Sequence, residues 1–180
     1  MAYPAKTTPE TIVKAALDLL EQEGTLLSMR NLAEKLGMKA PSLYRHFANK
    51  ETLEVAMIQE GASLLRERLE KATHHLEAHE KYFSASRAYL NFAQDKPELY
   101  TLMMTKLGPS SGSGKDVWNF VLELIGNLTH KPDDTAAAVA FWSFLHGFSA
   151  LERSGMFGKS GPKEGLEVGL NALLKGLTLT

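Results

Sequence analysis

The part of the sequence best suited to chemistry on a charged partner is a short run of hydrogen-bond donors: Ser42, Tyr44, Arg45 and His46. Hydroxyl, guanidinium and imidazole groups donate to phosphate oxygens, and a guanidinium can also donate two bonds to the edge of a guanine. Leu43 and Phe47 interrupt the run four residues apart, so both would lie on one face of a helix. The spacing predicts a short helix with its donors in solvent and its apolar side on a core.

This short helix needs a second helix to support it, and the residues just before the short helix predict one. Four apolar residues recur there with helical spacing: Met29, Leu32, Ala33 and Leu36. Ser28 can cap the start of this helix, and Gly37 can end it in the left-handed conformation. Pro41 then suits the first turn of the next helix. Two short helices joined by a tight turn, the second carrying phosphate and base donors, predict a DNA-binding helix-turn-helix.

The local distribution of charge supports this interpretation. The whole chain carries 20 basic and 21 acidic residues, so its total charge gives no argument for a nucleic-acid partner. Residues 28–50, however, contain five basic residues against Glu34 alone, a net charge of +4, whereas the segments before and after are net acidic. Such a patch is the electrostatic footprint of a DNA-binding protein. The alternative is a solvated basic surface without a partner, and the helix-turn-helix spacing favours DNA.

Length and composition limit the remaining possibilities. The 180 residues form one or two small domains, and the absence of cysteine excludes disulfides, thiolate metal sites and thiol nucleophiles. No run of about 18 apolar residues could span a membrane. The N-terminus lacks the basic flank and apolar core of a secretory leader. We expect a soluble, cytoplasmic protein that binds no cofactor and does not associate with a membrane.

Apolar spacing predicts an all-α fold. A helix over residues 9–23 is opened by Thr8 and ended by Gly24, and Asn49 is expected to cap a long helix. Five further helices are predicted near residues 78–94, 97–107, 115–129, 133–154 and 163–177. No segment alternates with period two over enough residues to predict a strand.

Residues 9–58 resemble the DNA-binding domain of the TetR-like bacterial transcriptional repressors. The segments ETIVKAALDLLEQEG, SMRNLAEKLGM and APSLYRHFANKETL match that family in order and spacing, with LYRHF and NKETL especially similar. A weaker similarity to the penultimate helix of one subgroup lies at Trp142, His146 and Gly147. The resemblance implies a homodimer, a double-stranded DNA operator with two related half-sites, and a C-terminal domain that binds a small molecule.

The resemblance also implies a domain organisation and roles for single residues. We expect a three-helix DNA-binding domain at residues 1–50 and a larger helical ligand-binding and dimerisation domain at residues 51–180. Arg45 should lie in the major groove, Tyr44 and His46 should reach phosphates or the groove wall, and Lys50 should clamp the DNA backbone. Local hydrogen bonding is the alternative for His46. Lys39 stands where many relatives carry a capping serine. The predicted DNA-binding residues are Ser28, Arg30, Lys39, Ala40, Pro41, Ser42, Tyr44, Arg45, His46 and Lys50.

The two last helices are expected to form the dimer interface. Residues 136–151 are apolar nearly all round, which predicts a helix buried on every side. The final helix carries a leucine stripe from Leu166 to Leu177, and small residues that would let another backbone approach: Gly165, Gly169, Ala172 and Gly176. Two such helices and their symmetry mates would form a four-helix interface. An ordinary core within one chain is the alternative.

Large apolar side chains in the same half are predicted to line a pocket for a hydrophobic or aromatic effector. These residues are Phe83, Tyr89, Phe92, Tyr100, Met103, Met104, Trp118, Phe120 and Trp142, with His146 as a polar contact. Core packing is the alternative for each of them, including His146.

The leading functional hypothesis is a homodimeric repressor that a small ligand releases from a palindromic operator. The alternative is a regulator that acts constitutively or answers to a protein partner. An enzyme is disfavoured because no nucleophile–base pair or complete cofactor loop is present. Residues 108–116 imitate a phosphate-binding loop, but Pro109 replaces a required glycine. His75 and His79 could share a metal, but a solvated turn is the better interpretation, so we expect no bound metal.

Overall fold

The computed structural model describes residues 7–24, 27–106 and 112–179, and these ranges contain nine α-helices and no strand. The helices are α1 (Pro9–Glu23), α2 (Met29–Lys35), α3 (Ala40–Tyr44), α4 (Lys50–Thr73), α5 (Ala78–Asp95), α6 (Pro97–Lys106), α7 (Gly112–Thr129), α8 (Thr135–Arg153) and α9 (Gly165–Thr178). The all-α prediction is confirmed. Within the described ranges, no helix combines the length and the hydropathy that crossing a membrane requires.

Short side chains fix the helix ends where the sequence predicts them. The Thr8 hydroxyl accepts a hydrogen bond from the backbone N–H of Thr11 at 3.3 Å, and the Thr11 hydroxyl accepts one from the N–H of Thr8 at 2.9 Å. Asn49 and Thr52 repeat this reciprocal arrangement at the start of α4. These bonds satisfy N–H groups that have no partner inside the helix. Gly24 ends α1 with a φ of 58°, which glycine adopts without steric cost.

Contacts divide the chain into two compact units. The first unit comprises residues 1–63 and 96–114, and the second comprises residues 64–95 and 115–180. The first therefore contains α1, α2, α3, the start of α4, and α6. The second contains the rest of α4, α5, most of α7, α8 and α9.

The core of the first unit is formed by residues that the helical spacing places inward. Its most buried side chains, each at most 1% exposed, include Ile12, Leu32, Leu43, Leu53 and Met57. One residue of the predicted stripe, Leu36, is only half-buried. Leu36 is the C-cap residue of α2, so the predicted stripe ends there.

Helix α6 is attached to the first unit along its length. The Glu21 carboxylate on α1 accepts hydrogen bonds from the N–H groups of Leu99, at 3.0 Å, and Glu98, at 3.3 Å, at the start of α6. A Cβ atom added to Gly61 on α4 would lie only 2.8 Å from the Met103 sulfur and 2.9 Å from a Leu99 methyl carbon. The missing side chain therefore lets α6 lie close against α4.

Buried aromatic residues connect the helices of the second unit. Tyr82 on α5 is fully buried, and its ring centroid lies 4.9 Å from that of Phe141 on α8. The Tyr82 hydroxyl donates to the backbone carbonyl of Leu170 on α9 at 3.1 Å. Burial raises the pKa of Tyr82 well above its ordinary value, so the phenol remains neutral. These contacts join α5, α8 and α9.

The histidines around residue 75 and the segment at residues 108–116 both lie near connections between helices. His74 and His75 lie in the turn after α4, where His75 has a left-handed φ of 60°, whereas His79 lies in the first turn of α5 rather than in the predicted solvated turn. In the described ranges, no three His, Asp or Glu side chains cluster closely enough to hold a metal ion. Residues 108–111 of the segment that imitates a phosphate-binding loop lie outside the described residues, and α7 begins at Gly112, three residues before the predicted start.

Candidate nucleic-acid interface

The turn between α2 and α3 has the geometry that the sequence predicts. The Ser28 hydroxyl caps α2 by accepting a hydrogen bond from the N–H of Asn31 at 3.1 Å. At the other end, Gly37 has a φ of 62°, and the N–H of Met38 donates to the carbonyl of Ala33 at 2.9 Å. This bond closes α2 in the manner of a left-handed glycine cap. Helix α3 then begins at Ala40, three residues after Gly37.

Helix α3 ends before the run of hydrogen-bond donors from Ser42 to His46 is complete. Helix α3 has five residues and ends at Tyr44, and Arg45 and His46 lie in the turn that follows. The N–H groups of His46, at 2.9 Å, and Phe47, at 3.1 Å, both donate to the carbonyl of Leu43. The backbone therefore stays tightly wound through these residues, and it holds their side chains next to α3.

The donors lie on the outer side of α3, as predicted. Tyr44 is 49% exposed and Arg45 and His46 are also exposed, whereas Leu43 is fully buried. Ser42 is half-buried, and the Arg45 guanidinium lies 3.5 Å from its hydroxyl oxygen. An anchored leucine between exposed donors gives this segment one fixed face and one face available to a partner.

The other predicted DNA-binding residues lie on both sides of this segment in the first unit. Arg30 on α2, Lys39 and Pro41 are exposed, and Ala40 is half-buried. Lys39 precedes α3 without making a side-chain capping bond, so its ammonium does not serve the helix end. The Ser28 hydroxyl does serve a helix end, which limits its availability to a nucleic acid.

Lys50, the first residue of α4, has a carboxylate neighbour that the sequence analysis missed. Its Nζ lies 3.7 Å from Oε1 of Glu54, and Nζ of Lys106 on α6 donates to Oε2 of the same carboxylate. Glu54 is only 8% exposed. The spacing of Lys50 and Glu54 is a recognisable ion-pair signal in a helix. The contact of Lys106 with Glu54 joins residues 52 apart, for which the sequence carries no signal.

Three of the predicted effector-binding residues come together in the second unit. The rings of Trp118 on α7 and Trp142 on α8 are stacked, with centroids 5.8 Å apart and an interplanar angle of 23°. The Trp142 indole N–H donates to the hydroxyl of Tyr89 on α5 at 3.1 Å. We call these three residues the aromatic cluster. Tyr89 is buried, whereas both tryptophans are half-buried.

The remaining predicted effector-binding residues have other surroundings. Phe83 contacts the rings of Tyr82 and His79 near the start of α5, and Phe92 is buried with the Arg68 guanidinium 5.5 Å from its ring centroid. Three belong to α6 in the first unit: Tyr100, Met103 and Met104. The last two are half-buried in the second unit: Phe120, which lies under the Arg66 guanidinium, and His146, one turn after Trp142.

A surface depression in the second unit is lined by the outer face of α7 together with His130 and Pro132. None of the predicted effector-binding residues lies on its wall. The aromatic cluster and this depression are therefore distinct features of the second unit.

The prediction that residues 136–151 are buried on every side is wrong for the single chain. Phe141 and Leu145 on α8 are buried, but Val139 is 49% exposed and Leu151 46% exposed. The exposed stripe of α8 continues through small residues: Ala140, Ser143, Gly147 and Ala150. An apolar composition indicates that a helix is buried by packing contacts, but a second chain can provide some of these contacts.

Helix α9 also has an exposed face. An adjacent side of α9 packs against α8. Val168 is 64% exposed, and open space surrounds Gly165 and Gly176. Gly169 differs from these two glycines, because a Cβ atom there would lie 2.3 Å from the Phe144 ring. Gly169 therefore makes room for a contact between α8 and α9 of the same chain, whereas the exposed small residues have no such contact.

Comparison with known proteins identifies two family models that match this chain. Residues 12–57 match the model described as bacterial regulatory proteins, tetR family. Residues 82–173 match the model described as tetracyclin repressor-like, C-terminal domain. The first range contains the described helix-turn-helix, and the second contains the aromatic cluster.

Individual proteins support the same relationship. An uncharacterised HTH-type transcriptional regulator of Mycobacterium tuberculosis is 30% identical over 165 residues, covering 87% of this chain and 75% of the relative. The structure of BioQ with its double-stranded DNA operator has a TM-score of 0.71 and 23% identity, covering 97% of this chain and 100% of that one. A TetR variant from Acinetobacter baumannii AYE in complex with minocycline has a TM-score of 0.72 and 20% identity, covering 95% and 96%. The two structures share the fold of this chain.

Proposed function

The chain belongs to the tetR family of bacterial regulatory proteins, and from that premise we propose that it is a homodimeric repressor which a small hydrophobic ligand releases from a palindromic operator. Membership of this family establishes the general function of the chain, which is DNA-binding transcriptional regulation. The repressor mode, the dimer and the release by a ligand are the content of the proposal.

The observation that carries the proposal is the exposed face of α3 and the turn after it. Tyr44, Arg45 and His46 point away from a helix that Leu43 anchors in the core. The major groove admits a helix of this kind, and a guanidinium there can bond bidentately to guanine. We assign base recognition to Arg45, and contacts with the DNA backbone to Tyr44, His46 and Lys50. BioQ, which shares the fold, was solved with an operator duplex.

The remaining predicted residues receive positioning roles. Exposed cations at Arg30 and Lys39 are assigned to phosphates, since such contacts fix the orientation of a protein on the duplex without reading its sequence. Ser28, Ala40, Pro41 and Ser42 shape the turn and the start of α3. We propose residues 1–50 as the DNA-binding domain and residues 51–180 as the domain for effector and dimer, although residues 51–63 and α6 belong to the first compact unit.

The dimer is proposed on the exposed faces of α8 and α9. Both faces combine apolar side chains, such as Val139 and Val168, with glycines that allow close helix approach. An apolar face of this kind in water is unfavourable and marks an interface. A two-fold axis would bring each pair of helices onto its copy, and thus make the same patch serve both protomers.

The effector is proposed to bind at the aromatic cluster. The stacked rings of Trp118 and Trp142 provide a flat apolar surface, and Tyr89 adds a hydroxyl. Such a combination suits an aromatic or lipophilic compound. Family membership supports a ligand in this domain, and a TetR protein of the same fold was solved with minocycline. Because operator DNA is cytoplasmic in bacteria, the proposal also places the protein there.

Ligand release gives the first testable prediction. Aromatic compounds that raise the melting temperature of the protein should also raise the Kd for the operator, by about 5–150-fold, since ligand and DNA favour different states. Fluorescence anisotropy of a labelled operator duplex measures this change. Trp118→Ala should weaken both effects of the compound, and Phe83→Ala, outside the aromatic cluster, serves as the control. A compound that saturates the protein without changing operator affinity would favour the constitutive or protein-regulated alternative.

A further inference from the structure

We propose that Lys106 is a positioning residue for DNA binding, because it neutralises the buried Glu54 and so leaves Lys50 available to a phosphate of the operator. The inference rests on the proposed function, in which Lys50 contacts the DNA backbone. All three residues belong to the first unit. Lys106 need not contact DNA to have this effect.

The three charges form a triad with one carboxylate and two ammonium groups. The side chain of Glu54 is 11% exposed, whereas those of Lys50 and Lys106 are 39% and 50% exposed. Nζ of Lys106 donates directly to Oε2 of Glu54. Nζ of Lys50 lies 3.7 Å from Oε1, which is a looser contact than a hydrogen bond. Lys106 is therefore the principal partner of the carboxylate.

A carboxylate so largely removed from water requires a cation, because leaving it unpaired would be strongly unfavourable. One ammonium group is sufficient for this purpose, and the triad retains a net charge of +1. Since Lys106 supplies the required charge, Lys50 can move to a phosphate without leaving Glu54 unpaired. The flexible lysine stem permits such a movement.

Loss of Lys106 would reverse this situation. Among the residues that the structure describes, Lys50 would then be the only cation within ion-pair distance of Glu54, and its contact with DNA would compete with its contact with the carboxylate. Lys106 is the last residue of α6, whose start Glu21 caps and whose Leu99 and Met103 pack against Gly61.

The test is the salt dependence of operator binding by the full-length protein. Each phosphate contact contributes about 0.9 to the slope of log K against log salt concentration, measured between about 50 and 200 mM. We expect Lys106→Gln to lower the magnitude of this slope by about 1 for each bound protomer, as Lys50→Gln does. Lys71→Gln is the control, because it breaks an exposed ion pair on the same helix as Glu54 and should leave the slope unchanged.

A double variant separates this account from direct DNA contact by Lys106. In E54Q/K106Q there is no carboxylate to hold Lys50, so the slope should return to the wild-type value. A slope that stays low would mean that Lys106 itself contacts DNA, and an unchanged slope in K106Q would mean that Lys50 needs no help. Either result overturns the inference. A wild-type protein that binds no duplex contradicts the proposed function instead.

Lys106→Met keeps the test decisive if K106Q melts at the assay temperature. Methionine has an unbranched side chain of similar length but carries no charge, so the same loss of slope is expected. If both variants are unfolded in a thermal melt, Glu54 needs Lys106 for stability rather than for DNA binding, and the inference is overturned.

Discussion

Val168→Glu is expected to convert the protein to a monomer and to weaken operator binding by about 10²–10⁴-fold. Val168 is 64% exposed on α9 within one chain, so glutamate there meets water and does not disturb the core. In the proposed dimer the same position is buried against the partner, where two unpaired carboxylates would be strongly unfavourable. The large loss of affinity follows because a monomer binds one half-site and loses the effective concentration that links the two.

Light scattering and operator titration measure the two parts of this prediction. The melting temperature of the monomeric variant should be lower only to the extent that dimerisation stabilises the wild type. Val55→Glu is the matched control for assembly, because Val55 is 53% exposed but lies on α4 rather than on the proposed interface. A V168E protein that remains a dimer would place the interface elsewhere.

Arg45→Ala is expected to change which base pair is preferred at one position of each half-site. A bidentate bond from a guanidinium to guanine contributes about 1–3 kcal/mol of discrimination, so the preference should fall by about 5–150-fold. Arg45 is exposed, and the hydrogen bond that its guanidinium donates to the Ser42 hydroxyl is long at 3.5 Å, so we expect the substitution to leave the fold of the first unit intact.

The comparison variant is Lys50→Ala. Because a phosphate contact carries no sequence information, this change should weaken binding to all duplexes alike and lower the magnitude of the salt slope by about 1 per protomer. Binding of both variants to a set of operators with single base-pair changes distinguishes the two patterns. An equal loss on every operator for R45A would contradict the assignment of base recognition to Arg45.

Features that depend on neighbouring residues were predictable from the sequence. The caps at Thr8, Ser28 and Asn49 join residues only three apart, and Gly37 needs only its own backbone conformation. Helix bounds follow from such signals together with apolar spacing. The helix-turn-helix, with its exposed donors around Arg45, was therefore predictable almost completely.

Features that depend on distant residues were not predictable in the same way. The cap that Glu21 provides for α6 and the contact of Lys106 with Glu54 join residues 78 and 52 apart. Nothing local distinguishes such carboxylates from other charged residues on a helix surface. The missed role of α6 in the first unit has the same origin.

The candidate effector site was only partly predictable, because an aromatic residue in a helix suits a core as well as a pocket. Phe92 and Trp118 look alike in the sequence, yet Phe92 is fully buried and Trp118 is half-buried. The apolar composition of α8 likewise predicts that the helix is buried on every side. Composition alone cannot show that Val139 remains exposed in the single chain.

The central claim is that the exposed segment around Arg45 reads a two-fold symmetric operator. Selection of bound duplexes from a random DNA pool, with the purified full-length protein, tests it most directly. We expect enrichment of one palindrome whose half-sites are about one helical turn or more apart, since each protomer places its own recognition segment in the major groove. Recovery of weak, salt-sensitive DNA without any shared sequence would contradict the claim, because it would leave only the sequence-independent phosphate contacts.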